Sequence, residues 1–210
     1  MDCCPPKSKL TFQRLKKALR IQQSNEKIDF HGQNKLILVG TPNVGKSVIF
    51  NSLTGAYVTV SNYPGTTVEV SRGKTRLTGE TWEVVDTPGM YSLMPITEEE
   101  RVTRTLLLEE HPEIVLHVID AKNLERMLNF TLQLIEAGLP IILVINMMDE
   151  AERLGIKIDF KMLNTLLGIP VIVTSATRGH GLNLLKNAIS EYQQTSSLGR
   201  SVNQYANRYA

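Results

Sequence analysis

Short apolar runs alternate with longer amphipathic stretches from Lys35 onward. Four of these runs are rich in β-branched residues and end at turn residues, and they cover 36–39, 114–119, 141–145 and 171–173. Runs of this length and composition predict strands buried on both faces of a parallel sheet. Two further segments, 68–77 and 81–85, alternate between apolar and polar residues, which predicts an edge hairpin.

Amphipathic segments with helical spacing separate the predicted strands. They cover residues 46–53, 98–109, 124–137, 149–154, 160–167 and 182–193. Three of them are followed directly by a glycine, at Gly138, Gly155 and Gly168, as is common at helix C-termini. Strands that alternate with helices predict an α/β fold. We expect a three-layer sandwich with a six-stranded, mostly parallel sheet, one antiparallel edge strand and helices on both faces.

The two ends of the chain differ in character from the middle. Residues 1–33 predict a basic arm or helix, residues 34–193 one α/β domain, and residues 194–210 a polar tail. A chain of 210 residues with 42% hydrophobic content is long enough for one such domain with a substantial core. Two full domains would be a tight fit.

Composition narrows the functional classes. The formal net charge is +2, so the overall charge does not demand nucleic acid or an anionic membrane. Cys3 and Cys4 are adjacent, which excludes a disulfide framework and fits a reducing cytosol. No apolar run approaches the roughly 18 residues that span a bilayer, and no signal peptide is evident. We therefore expect the chain as given to be soluble.

A phosphate-loop pattern lies between the first predicted strand and the first predicted helix. Residues 40–47 read Gly-Thr-Pro-Asn-Val-Gly-Lys-Ser, which fits the pattern in the strand-to-helix context that it requires. The glycines permit a tight loop whose N–H groups face phosphates, Lys46 reaches the β and γ phosphates, and Ser47 ligates Mg²⁺. The motif by itself predicts binding of a nucleoside triphosphate.

A second motif selects the base. Asn146-Met-Met-Asp149 follows a predicted buried strand, and the Asp149 carboxylate can accept from both N1–H and the exocyclic amine of guanine, a donor pair that adenine lacks. We expect Asn146 to brace the loop. Met147 stands where the usual motif has lysine, and its side chain can replace the lysine stem that packs over the base. Ser175-Ala176, after the last strand, predicts a backbone contact to the guanine carbonyl.

Two segments between these motifs predict nucleotide-dependent switches. Asp86-Thr-Pro-Gly89 ends a predicted strand, so we expect Asp86 to hold Mg²⁺ through water and the Gly89 amide to sense the γ-phosphate. Thr67 lies in a segment after Tyr57 that we expect to be irregular. We expect Thr67 to close over the metal only when the γ-phosphate is present. Thr66 is the alternative for this role.

The residue after Gly89 is Met90, where many GTPases have the glutamine that orients the attacking water. Side-chain assistance from that position is therefore absent. Asn43 offers an oxygen ligand that could hold a monovalent cation against the phosphates and compensate charge where other systems use an arginine finger. The alternative is an ordinary turn asparagine.

Four segments together resemble the FeoB family of bacterial ferrous iron transporters. They are 62–69 (NYPGTTVE), 86–93 (DTPGMYSL), 120–126 (DAKNLER) and 146–152 (NMMDEAE), within a match from about Lys35 to Tyr192. The resemblance implies a P-loop GTPase G domain that hydrolyses GTP as a K⁺-stimulated switch for Fe²⁺ uptake. It also implies that Asn43 binds potassium and that Thr67 senses the metal.

The complete expected site combines the motifs and the resemblance. The expected nucleotide contacts are Gly40, Thr41, Pro42, Asn43, Val44, Gly45, Lys46, Ser47, Val48, Gly65, Thr66, Thr67, Asp86, Thr87, Pro88, Gly89, Asn146, Met147, Asp149, Ser175, Ala176 and Thr177. Catalysis is assigned to Asn43, Lys46, Thr67 and Gly89. Ser47, Thr67 and Asp86 are expected at Mg²⁺, and Asn43 at K⁺.

The resemblance also implies partners and a location. The expected partners are GTP or GDP and a membrane-embedded iron permease region, in the same or a separate chain, with a homo-oligomer also open and no nucleic acid. The expected location is the cytoplasmic face of the bacterial inner membrane. Family members usually follow the G domain with a helical domain and a polytopic membrane region, which the residues after Tyr192 are too few to form. We therefore expect a fragment of a longer transporter or a stand-alone variant.

Two other functions share parts of this pattern. A GTPase of ribosome assembly or tRNA modification has the same loop, but it normally carries Asn-Lys-x-Asp and an RNA-binding domain. A weakly hydrolysing regulatory module is left open by Met90. Other conspicuous residues have structural interpretations: Thr97 and Glu100 predict a capping box rather than an iron site at 98–100, and His117 predicts a packed core residue.

Overall fold

The computed structural model describes residues 34–55, 58–77 and 79–197. In these ranges the chain forms a single seven-stranded sheet with helices around it. The strands are β1 (Asn34–Val39), β2 (Val58–Asn62), β3 (Glu69–Leu77), β4 (Glu80–Asp86), β5 (Ile114–Asp120), β6 (Ile141–Asn146) and β7 (Val171–Val173). The helices are α1 (Lys46–Thr54), α2 (Glu98–Glu109), α3 (Leu124–Glu136), α4 (Met148–Arg153), α5 (Phe160–Leu167) and α6 (Leu182–Ser197).

The strand order is β2-β3-β4-β1-β5-β6-β7. Parallel pairing joins β4, β1, β5, β6 and β7, whereas β3 pairs antiparallel with both β2 and β4. The α/β architecture is confirmed, but two details of the prediction are wrong. The sheet has seven strands rather than six, and its antiparallel strand lies one position in from the edge.

Both corrections come from β2, which occupies part of the segment expected to be irregular. All five of its residues are exposed, so it lacks the alternating burial by which a strand is recognised in a sequence. Backbone pairing with β3, rather than a pattern in its own sequence, identifies β2 as a strand. Because β2 covers the outer side of β3, the predicted edge hairpin of β3 and β4 lies inside the sheet.

The central strands form the core. Every residue of β5 and of β6 is buried, and so are the last four residues of β1. Strands covered on both faces in this way agree with the continuous apolar runs of the sequence. The parallel strands also align their carboxyl ends along one edge, and the loops carrying the predicted motifs begin there. The 63–68 loop begins at the same edge, because β2 runs in the same direction as β4.

Helix boundaries follow the sequence signals closely. Thr97 and Glu100 form the predicted capping box, in which the Thr97 side chain accepts from the Glu100 N–H and the Glu100 carboxylate accepts from the Thr97 N–H. Helix α6 continues to Ser197, four residues past its predicted end. Residues 1–33 and 198–210, for which an arm and most of a tail were predicted, lie outside the described residues. In the part of the chain that the structure describes, no helix combines the length and apolar character needed to cross a bilayer.

Candidate nucleotide-binding site

The phosphate loop connects β1 to α1 and is shaped by two glycines. Gly40 has φ +152°, and a Cβ there would lie 2.1 Å from the Val118 carbonyl oxygen. Gly45 has φ +89°, and a Cβ there would lie 2.3 Å from Nδ2 of Asn146. Asn43, between them, also has a positive φ of 64° and is exposed. The loop therefore depends on glycine at two positions, for backbone conformation and for close approach.

Lys46, Ser47 and Asp86 come together at the start of α1. The Lys46 ammonium is buried and donates to the Thr41 carbonyl oxygen at 3.3 Å. The Ser47 hydroxyl donates to Oδ2 of Asp86 at 2.7 Å. Burial lowers the pKa of Lys46, an effect that the nearby Asp86 charge opposes, and burial raises the pKa of Asp86 against the influence of Ser47 and Lys46.

This cluster has the donor chemistry of a Mg²⁺ site. Oδ1 of Asp86 is buried and has no hydrogen-bond partner among the described residues. A carboxylate oxygen left without a donor next to a hydroxyl oxygen is the type of arrangement that a hard divalent cation satisfies. The residues present therefore fit the metal that the sequence predicts.

Asn146 connects the phosphate loop to the base loop, which comprises residues 146–149 at the end of β6 and residues 174–177 after β7. Its Nδ2 donates to the Val44 carbonyl oxygen at 2.9 Å. Its Oδ1 accepts from the Thr174 hydroxyl at 2.9 Å and from the Ala176 N–H at 3.0 Å. Because Asn146 is only 2% exposed, all three bonds are shielded from water. The predicted bracing role of Asn146 is thus visible as three specific contacts.

The base loop lies at the carboxyl ends of β6 and β7. Met147 adopts the left-handed conformation, with φ 61°, and is half-buried. The Asp149 N–H donates to the Ser175 hydroxyl at 3.1 Å. A backbone contact from Ser175-Ala176 to a guanine carbonyl was expected, but in this structure the Ala176 N–H donates to Asn146 and the Ser175 N–H donates to the His180 carbonyl oxygen. The assignment of this contact to the base therefore stays a prediction.

One cleft of about 350 Å³ joins the two loops. The residues that line it are Asn43, Gly45, Lys46, Ser47, Val48, Asn146, Met147, Glu150 and Thr177. All of them except Glu150 belong to the predicted site. Glu150 pairs with Lys122, which comes from the loop after β5. No sequence signal marks Glu150, because a glutamate in the first turn of a helix is ordinary.

The loop between β2 and β3 contains the first predicted switch segment. Residues 63–66 form a tight turn in which the Thr66 N–H donates to the Tyr63 carbonyl oxygen at 3.0 Å, with Pro64 and Gly65 (φ +77°) at its centre. The Thr66 hydroxyl donates to the same Tyr63 oxygen and accepts from the Val68 N–H. Thr66 is therefore occupied in shaping the turn.

Thr67 lies in a different environment. It is exposed and lines a cavity of about 450 Å³ together with Asp86, Thr87, Pro88 and the first residues of α2, Glu98 and Glu99. The structure thus brings Thr67, and not Thr66, to the same cavity as Asp86. This placement agrees with the preference for Thr67 as the residue near the metal.

The second predicted switch segment, residues 86–89, packs against the phosphate loop. A Cβ on Gly89 would lie 2.5 Å from Cγ of Pro42, so the two loops are in direct contact. The Thr87 hydroxyl donates to the Leu38 carbonyl oxygen at 2.8 Å and anchors the segment to β1. The Met90 N–H donates to the Gly40 carbonyl oxygen, and the Met90 side chain is fully buried. Met90 therefore belongs to the core.

Two arginines near the base loop were not assigned to the site from the sequence. Nε of Arg178 lies 2.9 Å from Oδ2 of Asp149, and Nη2 of Arg153 lies 3.4 Å from the same oxygen. Arg178 directly follows Thr177, the last residue assigned to the site. The available signal was therefore its position, one residue beyond a recognised motif.

His117 is confirmed as a packed core residue. Its ring is 1% exposed, contacts Phe130 edge-on with 4.9 Å between ring centroids, and has Nδ1 3.0 Å from the Thr131 hydroxyl. Burial lowers the pKa of His117 to about 3, with a smaller contribution from the Lys46 charge. The histidine is therefore neutral at physiological pH.

Comparison with known proteins identifies the family. A family model described as "Ferrous iron transport protein B" matches residues 34–189. The Fe(2+) transport protein A/Fe(2+) transporter FeoB fusion protein of Porphyromonas gingivalis is 42% identical over 170 residues, which are 80% of this chain and 20% of that protein. The chain thus spans about a fifth of the length of the curated relatives it matches.

Solved structures agree with this match. The FeoB G-domain from Methanococcus jannaschii is 40% identical with a TM-score of 0.68, covering 77% of this chain and 98% of that one. The cytosolic domain of the T. maritima FeoB iron transporter in a GDP form is 41% identical with a TM-score of 0.73, covering 77% and 64% of the two chains. This chain therefore belongs to the ferrous iron transport protein B family, and the matched region corresponds to the N-terminal G domain of that family.

Proposed function

We propose that this chain binds and hydrolyses GTP and acts as a nucleotide switch for Fe²⁺ uptake across the cell membrane. The observation that carries the proposal is the Asn146 side chain, which ties the phosphate loop to the base loop around one cleft. A site built in this way holds the two ends of a nucleotide in a fixed relation. The GDP form of the T. maritima relative supports guanine as the base.

The setting of this switch is also part of the proposal. The domain acts at the cytoplasmic face of the bacterial inner membrane on an iron permease region, either in the same chain or in a separate one. Homo-oligomers of the domain are compatible with this arrangement. The support comes from the relatives, which are named as Fe(2+) transporters.

Guanine is read by Asp149, and Met147 and Thr177 flank it. The carboxylate accepts from N1–H and the exocyclic amine, which adenine cannot match. Met147, half-buried in the left-handed conformation, packs its flexible thioether side chain over the base. Thr177 lines the same cleft. Specificity then follows from the donor pair, because a site left with an unpaired acceptor disfavours the wrong base.

The phosphates lie against the 40–47 loop and the N-terminus of α1. Backbone N–H groups of the loop and the helix dipole favour the negative charge, and Lys46 provides a cation from a buried position. Ser47, Asp86 and Thr67 hold Mg²⁺, which when bound neutralises charge on the β and γ phosphates. The Gly89 amide donates to the γ-phosphate, in direct contact with the loop through Pro42.

Hydrolysis depends on Asn43 because no side chain orients water from the position after Gly89. Met90 is fully buried in the core. Asn43 is exposed next to Lys46 and Ser47, so its side-chain oxygen is available to K⁺, which when bound compensates the charge developing on the phosphates. The burial of Met90 also favours a second candidate function, a regulatory module whose turnover is slow without this cation.

A base-exchange experiment tests guanine recognition. Asp149→Asn should weaken GTP binding and favour xanthosine triphosphate, because an amide can donate to the 2-oxo group that replaces the guanine amine. Affinities are measured by displacement of a fluorescent GDP analogue. Glu152→Gln is the matched control, since it neutralises an exposed carboxylate on the same helix. Unchanged GTP affinity in Asp149→Asn would refute the assignment.

A salt-exchange experiment tests the cation. Phosphate release from GTP should be faster in KCl than in NaCl of equal ionic strength, and Asn43→Ala should abolish this difference. GDP affinity is measured in parallel to confirm that the variant still binds nucleotide. Equal rates in both salts for the unmodified chain would eliminate the K⁺ role.

A further inference from the structure

Arg178 contacts the carboxylate that is proposed to read the base. It is the last residue of the short 3-10 turn Ala176–Arg178, which follows β7, and its Nε lies 2.9 Å from Oδ2 of Asp149. The Asp149 side chain is 14% exposed and the Arg178 side chain 54%. The two side chains therefore form an ion pair, and the partial burial of Asp149 makes the attraction stronger than it would be in open water.

The backbone fixes where this contact forms. The Arg178 N–H donates to the Ser175 carbonyl oxygen at 2.9 Å, and the Asp149 N–H donates to the Ser175 hydroxyl at 3.1 Å. Ser175 therefore anchors both partners. The loop then closes on itself, because the Ser175 N–H donates to the His180 carbonyl oxygen and a Cβ on Gly181 would lie 2.1 Å from the Val173 carbonyl oxygen.

Arg153 is a more distant partner of the same carboxylate. Its Nη2 lies 3.4 Å from Oδ2, and its Nε donates to the Asp149 carbonyl oxygen at 3.1 Å. The Arg153 side chain is 65% exposed and lies one helical turn along α4. The shorter distance and the anchored loop single out Arg178.

The orientation of a carboxylate decides how many donors it can accept at once. The terminal torsion of aspartate is broad, so a carboxylate without a fixed partner rotates over a wide range. Guanine offers two parallel donors, N1–H and the exocyclic amine, and both oxygens must lie in the plane of the base to accept them. Hypoxanthine offers only N1–H, and a single donor can be accepted over a wider range of carboxylate orientations.

We propose that Arg178 is a positioning residue for guanine recognition, which fixes the rotation of the Asp149 carboxylate so that a base with two donors is preferred to a base with one. The inference rests on the proposed function and deepens it. If the Asp149 side chain is already immobilised before the nucleotide binds, the affinity for a base with two donors should rise about fivefold.

The experiment compares GDP with inosine diphosphate (IDP). Dissociation constants for both are measured on the full chain by displacement of fluorescent GDP, and melting temperature reports folding. The unmodified chain should prefer GDP. Arg178→Ala should reduce the GDP-to-IDP preference about fivefold, chiefly by weakening GDP, and Arg178→Lys should recover part of it. Arg126→Ala, an exposed arginine on α3, is the control and should leave the preference unchanged.

The outcomes separate this inference from the function on which it rests. Equal weakening of GDP and IDP by Arg178→Ala, or no weakening of either, would overturn the positioning role while leaving guanine recognition intact. So would a loss of preference in Arg153→Ala that Arg178→Ala does not share. An unmodified chain that fails to bind GDP removes the proposed function and this inference with it.

Discussion

The side-chain amide of Asn146 donates a hydrogen bond to the carbonyl oxygen of Val44, 2.9 Å away, although the two residues are 102 positions apart. The same side chain accepts from Thr174 and Ala176, which follow β7. Three loops from separate parts of the chain therefore share one buried amide. The relative positions of the phosphate and base subsites depend on it.

Replacing Asn146 should damage both stability and binding. Asn146→Ala removes three buried hydrogen bonds and leaves their partners unsatisfied, so we expect the free energy of unfolding to fall by roughly 3 kcal/mol. Thr174→Val removes only one of these bonds and should cost about 1 kcal/mol. Urea denaturation without nucleotide measures both values. Equal losses in the two variants would show that Asn146 does not hold the loops together.

The contact between Gly89 and Pro42 predicts the effect of adding one methyl group. In Gly89→Ala the new Cβ would lie 2.5 Å from Cγ and 2.6 Å from Cδ of Pro42, so the two loops must separate. We expect a loss of about 1–3 kcal/mol in stability together with weaker GTP binding. Adding Pro42→Ala removes both of those ring carbons and should restore part of each loss, as measured by urea denaturation and nucleotide titration. Absence of any rescue would place the damage elsewhere.

Alanine substitutions of the two adjacent threonines should differ in their effect on GTP turnover. Thr67→Ala should slow GTP turnover strongly and spare GDP binding, because Thr67 lies at the cavity beside Asp86. Thr66→Ala should cost about 1 kcal/mol of stability and keep turnover, because its hydroxyl holds the hairpin turn. Phosphate release, GDP affinity and urea denaturation distinguish the two. Loss of turnover in Thr66→Ala alone would reverse the assignment.

His117 should make the protein sensitive to mild acid. Burial lowers its pKa to about 3 in the folded state, from an ordinary value of 6.5. Between these values the unfolded chain binds a proton that the native chain does not, so stability falls as pH decreases. From pH 7 to pH 5 the loss from this residue is about 2 kcal/mol.

Urea denaturation at the two pH values measures this contribution. His117→Gln should reduce the difference between pH 7 and pH 5 by about that amount. Leu134→Val is the control, since it changes a fully buried but non-titrating residue of α3 and should lower stability equally at both pH values. A pH dependence identical in His117→Gln and the unmodified chain would contradict the assignment.

The sequence alone determined the features that depend on contiguous residues. The 40–47 loop, the capping box at Thr97 and the buried strands β5 and β6 are each encoded by local spacing, by turn chemistry or by an unbroken apolar run. Parallel strands also place their carboxyl ends at one edge, so most of the motifs could be expected to converge. Each of these inferences requires only the order of residues along the chain.

Only the tertiary structure decided which side chains meet across the fold. Strand β2 carries no burial pattern of its own and exists through its pairing with β3. The environments of Thr66 and Thr67 differ although the two residues are neighbours, because one hydroxyl closes a turn and the other residue lines a cavity. Arg178 reaches Asp149 across 29 positions of sequence through a closed loop. Such contacts depend on three-dimensional distance, which local sequence patterns do not encode.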